Sequence, residues 1–192
     1  MTEYARITPH HLAVLSVRRA ADALSQTASD PTIWFFVILD LHRAIYCALV
    51  AALSGWAEIG AYSDKLQAQW TAWFEASRNN PDALAPTEEY VLPFKDLLSR
   101  AESGTPHTTG PLLELKPEHR ADLFKLIEYR GNLDHVKPLT WYLGIDGLPR
   151  VGASAAEVFA MLLSSFSHRL EIEELTQVEA ALAKFALRKD QK

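Results

Sequence analysis

The stretch from Ile33 to Leu53, IWFFVILDLHRAIYCALVAAL, decides the fold. It is mostly apolar and close to membrane-spanning length, yet its middle carries Asp40, His42 and Arg43. Charges at that depth are costly in a bilayer, and no run reaches the roughly 18 uninterrupted apolar residues of a spanning segment. A helix that is apolar almost all round is instead the centre of a helical protein. Asp30-Pro31 caps it in front, and Gly55 ends it.

Working outward, Thr8 and Pro9 form an N-cap and first helical position for a helix reaching about Thr27. Tyr62 to Arg78 reads as a third helix, with Trp70 and Trp73 on one stripe. Asn79 to Pro86 is a polar, proline-bearing loop, and a short helix from Glu88 to about Ala101 runs through Pro93. Residues 102 to 111, ESGTPHTTGP, form a second loop. Pro117 then opens a helix with Leu123, Phe124, Ile127 and Leu133 facing inward and Glu118, Arg120, Asp122 and Lys125 facing water. Pro138 disfavours α geometry at Lys137, which ends this helix near His135 or Val136.

From Leu139 the apolar period drops to two, Asp146-Gly147 is a hairpin signal, and Leu148 to Val151 make a short return strand. Residues 154 to 188 are helical, with a break marked by His168-Arg169. In that segment Leu175, Val178, Leu182 and Phe185 form a seam for packing or self-association. The expected fold is all-α: a single-domain bundle over residues 1–192, of about five to six helices, with one small β-hairpin near 140–151.

The chain has 192 residues, 48% of them hydrophobic, enough for one core. A net charge of -5 argues against a broad basic face for duplex nucleic acid, though a small site for RNA or a nucleotide fits. Cys47 is the sole cysteine, so neither a disulfide framework nor a cysteine zinc site is available, and a reducing cytoplasm is the expected setting. The start, MTEYAR, lacks a secretory pattern. No His-x3-His or Glu-x2-His pair occurs, so neither a metal nor a cofactor is expected.

Chemistry concentrates in Arg130-Gly-Asn-Leu-Asp-His135-Val-Lys-Pro138-Leu-Thr-Trp141. An arginine and a histidine at such spacing arise readily by chance, and Arg6 with His11 and Arg100 with His107 are two further instances. The third stands apart through its position at a helix end and through Pro138, Trp141 and Leu148-Pro149 downstream. A histidine titrates near pH 6.5 and can move a proton, while an arginine stays charged and can fork onto phosphate oxygens. Arg130 and His135 are therefore candidate catalytic residues, and the family resemblance set out below adds Asn132 to the set. Five helical residues turn through about 140°, so joint action of Arg130 and His135 needs a frayed last turn or a second copy of the motif. The alternative is structural: Arg130 pairs with Asp134 at i, i+4, His135 gains from the helix dipole, and Gly131 allows close packing. Likewise, Asp40 either pairs with Arg43, or stands with His42 behind the Arg130 and His135 site.

This run resembles the signature of the HEPN superfamily (higher eukaryotes and prokaryotes nucleotide-binding), helical bundles with an Arg, a polar residue, a few more and then His. It also resembles a bacterial HEPN-like branch in which the histidine is followed by a proline, a tryptophan and Leu-Pro, here Pro138, Trp141 and Leu148-Pro149. Trp34 to Ala44 and Gly55 resemble that branch's first helix, so the likeness spans about residues 31 to 151. The resemblance implies a dimer whose facing motifs cleave RNA without a metal. Two departures are visible: Gly131 stands where the family has a polar residue, with Asn132 one step later, and Lys137 replaces a tyrosine found in some toxin members. Two functions follow as expectations. One is a metal-independent RNase or RNA-directed effector. The other is a non-catalytic dimeric module that binds a protein or nucleotide partner. Neither involves a membrane.

Overall fold

The computed structural model describes residues 7–55, 57–88, 90–104, 110–134 and 142–188. Among them are seven α-helices: α1 (Pro9–Leu24), α2 (Trp34–Ser54), α3 (Asp64–Ser77), α4 (Phe94–Ser103), α5 (Pro117–Asp134), α6 (Leu148–Phe166) and α7 (Ile172–Arg188). The protein is an all-α bundle, and no β-strand occurs among the described residues.

The helix starts follow local chemistry. The Thr8 side chain accepts from the His11 N–H, with Pro9 behind it, as expected from sequence. The Asp30 carboxylate accepts from the Thr32 N–H and hydroxyl and caps a 3-10 turn, Pro31–Ile33, that leads into α2. Gly55, at φ 60°, ends α2 in a conformation that costs glycine little.

Helix α2 packs against α1, α4, α5 and α6, and so forms the centre of the bundle. Leu41, Ile45, Leu49 and Leu53 on it are almost completely buried, each contributing about 1.5–3 kcal/mol relative to exposure. By length and composition Pro31–Ser54 is apolar enough to cross a membrane, but most of its most apolar window is covered by other helices. The candidate seam on α7 packs inward: Val178 and Phe185 are buried and Leu182 lies against the core. Gly152 of α6 permits the close approach of α7, since a Cβ there would come within 3.3 Å of the Phe185 ring.

Cys47, on α2, is buried and forms no disulfide. Burial raises its thiol to about 11, with Arg43 opposing. The native protein is therefore expected to react slowly with a thiol reagent at pH 8 and fully once unfolded, measured by release of the aromatic thiolate. Fast native labelling would show that α2 is not held in the core.

Two expectations need correction. Leu148 to Val151 do not form a return strand: Pro149 stands in the first turn of α6, Gly147 is its N-cap, and Asp146-Gly147 is a turn that enters a helix. The residues assigned to the first strand fall partly in 135–141, outside the described residues. The short helix does not run through Pro93 but begins immediately after it, as the absent N–H and fixed φ of proline favour. At His168-Arg169 the expected break is present as a 3-10 turn, Ser167–Arg169.

Candidate functional site

At one side of α2, His42, Arg43 and Tyr46 meet Phe94 of α4 and Arg130, Gly131 and Asp134 of α5 around a cavity of about 530 Å³. The periodicity of the two helices produces this. His42, Arg43 and Tyr46 recur at one and four positions on α2, while Arg130 and Asp134 are one turn apart on α5. Apolar floor comes from Leu39 and Ile127. The cavity opens to solvent, since the Arg130 side chain is 45% exposed.

Inside it, Arg130 Nη2 lies 2.6 Å from Asp134 Oδ2, the i, i+4 ion pair expected from sequence. Arg43 is exposed and forms no ion pair among the described residues. The His42 ring stacks near Phe94, with centroids 5.0 Å apart. Burial, then the positive charge of Arg130 and Arg43, push the His42 imidazole down to about 4, while Asp134 acts in the opposite direction. His42 is accordingly a neutral imidazole at pH 7, a hydrogen-bonding group rather than a charge. The Tyr46 hydroxyl donates to the Leu92 carbonyl at 3.4 Å on the cavity edge.

The sequence-derived candidates divide. Arg130 and His42 share the cavity. Asn132 is exposed and does not line it, because two positions along a helix rotate a side chain by about 200°. Asp40 faces α1 rather than the cavity: its carboxylate is 3.4 Å from Arg19 Nε, and Arg19, not Arg43, is its ion-pair partner. Burial raises the Asp40 acid above its usual value, and Arg19 and Arg43 oppose that. His135 lies outside the described residues, as does Trp141. A packing role for Gly131 finds no support, since an added Cβ would meet nothing within 4 Å.

A second polar group, between α5 and α6, was not anticipated. Asp122, assigned to the wet face, is 1% exposed. It accepts from Arg150 Nη1 at 2.8 Å and from the Ser154 hydroxyl at 2.8 Å. One turn away the buried His119 places Nε2 2.9 Å from Glu157 Oε2, while its Nδ1 has no hydrogen-bond partner among the described residues. The signal was present as two spacings, His119 with Asp122 at i, i+3, and Arg150, Ser154 and Glu157 at i, i+4 and i+7. Only their juxtaposition turns two amphipathic faces into one buried seam. Among the described residues no group of three or more His, Cys, Asp or Glu side chains is placed to hold a metal ion. No protein-family model matches the chain, and no curated protein or solved structure does either.

Proposed function

We propose that this is a HEPN-like helical protein of the cytoplasm that cleaves RNA as a homodimer without a metal, using Arg130 and His135. The observation that carries the reading is the convergence of Arg130 with Arg43 and the neutral His42 on one solvent-open cavity. Asp134, the last described residue of α5, directly precedes His135 in the sequence. Arg130 stabilises charge on the scissile phosphate, and His135 moves the proton. Two facing copies would answer the angular mismatch along a single helix.

Cleavage of a mixed RNA pool should survive EDTA and disappear in both Arg130→Ala and His135→Ala proteins. Gly131→Asn, which restores the family's polar residue into open space, should raise the rate. Cleavage retained by both alanine variants sinks the reading. The Arg130–Asp134 ion pair favours a second reading, a dimeric module that binds a protein or nucleotide partner and turns nothing over. Under it, the same alanine variants change stability or partner binding and no RNA is cut.

A further inference from the structure

We propose that Arg43 is the anchor that first takes a phosphate group in this cavity, and that Asp134 is an internal competitor holding Arg130 until that phosphate displaces it. The inference rests on the reading that the cavity receives RNA phosphate, and it assigns new roles to Arg43, outside the Arg130–His135 motif, and to Asp134, within it.

The two arginines differ in state. Arg43 lines the cavity, is exposed and has no ion-pair partner among the described residues. Arg130 is already engaged, with one guanidinium nitrogen 2.6 Å from the Asp134 carboxylate. An arriving anion therefore meets one available cation and one occupied cation. Guanidinium binds phosphate and carboxylate with the same fork geometry, so phosphate and Asp134 compete for the same donors on Arg130. Asp134 also repels the anion directly. Arg43 offsets that repulsion from the opposite wall, on α2, and the neutral His42 can donate one N–H to a phosphate oxygen.

The charge state of His42 reports the exchange. The charged and titratable groups around it are Arg43 and Tyr46 on α2 and Arg130 and Asp134 on α5, while α4 contributes the Phe94 ring. Burial first, and then the positive charge of Arg130 and Arg43, hold the imidazole down, with Asp134 opposing. A phosphate bound between them cancels that charge, so the His42 midpoint rises on binding.

The test is titration of the full chain with inorganic phosphate at pH 7 and constant ionic strength by calorimetry, together with pH titrations of the His42 ring proton resonance with and without phosphate. Arg43→Ala should weaken phosphate binding by roughly 10- to 100-fold, the range for a lost hydrogen bond to a charged group, and Arg43→Lys should lose less. Asp134→Asn should tighten it by roughly 2- to 5-fold, because it frees Arg130 and removes a like charge. Arg78→Ala, at the far end of α3, should leave it unchanged. In the wild-type protein the His42 midpoint should move upward with phosphate. No phosphate binding by the wild type, unchanged affinity in Arg43→Ala, or weaker binding in Asp134→Asn each overturns the proposal; the last would mean that Asp134 only positions Arg130. Phosphate binding with these responses but no RNA cleavage would retire the nuclease reading and leave this one standing. Cleavage with phosphate affinity indifferent to both variants would do the reverse.

Discussion

Arg150→Ala is expected to destabilise the protein by about 3 kcal/mol, the lower end of the 3–5 kcal/mol typical when one partner of a buried ion pair is removed. The reason is asymmetry of burial: Asp122 is 1% exposed, whereas Arg150 is 49% exposed. Without Arg150, a carboxylate stays inside the α5–α6 contact with only the Ser154 hydroxyl to support it. One of its oxygens, 2.6 Å from Arg150 Nη1, has no well-directed hydrogen bond and relies on charge alone. Asp122→Ala costs less, because the released arginine returns to water. The double variant should therefore be no less stable than Arg150→Ala, and urea unfolding of the four proteins of the cycle measures this. Additive losses would mean that the pair contributes as two independent residues. The pair also sets where α5 lies on α6, and hence where Arg130 is presented.

The second large effect is on acid stability. His42 binds its proton near pH 6.5 when unfolded and only near 4 when folded. Between those values the unfolded chain holds more protons, so stability falls as pH drops from about 6.5 toward 4 and levels off below. The full span corresponds to roughly 3 kcal/mol at 1.36 kcal/mol per pH unit. Asp40 works in the opposite sense. Its raised acid binds a proton more readily in the folded state, so acidification relieves a buried charge in the window above 3.8. His42→Gln should flatten the acid limb of a stability-versus-pH curve, and Asp40→Asn should steepen it. A curve for His42→Gln that overlays the wild type would show that His42 is not a buried neutral base.

Much of the bundle is readable from residues that act on their own neighbours. Thr8 and Pro9 start α1, Asp30 and Pro31 start the turn before α2, Gly55 ends α2, and Pro117 opens α5, all as local chemistry requires. Failures occur where a local signal has two continuations. Asp146-Gly147 can close a hairpin or precede a helix, and Leu148-Pro149 selects the helix because proline favours its first turn. The candidate site divides in the same way. Arg130 with Asp134 is a contact within one helix and was legible. The approach of His42 to Arg130, the turning of Asp40 toward Arg19 and the burial of Asp122 all depend on which helices become neighbours. Separation in sequence hides such contacts, since periodicity reports a face and not its partner.

Helix α3 packs less extensively on the other helices than they do on one another. Its Trp70, Trp73 and Phe74 rings cluster together, and the Trp73 indole donates to the Ala83 carbonyl within the same excursion. The excursion is tied back by Arg100 of α4, which reaches the carbonyls of Gly60 and Tyr62 and the Asp64 carboxylate. Sparse packing of this kind favours local opening below the free energy of global unfolding. Leu97 and Leu98 keep α4 in the core independently of that tether. An opening of residues 57–88 would thus break Arg100's bonds, the Leu92 N–H to Ala61 carbonyl bond and the Tyr62–Val91 bridge, while Leu97 and Leu98 would still hold Phe94 at the cavity wall. The protein can fluctuate at one end without blurring the geometry of the other.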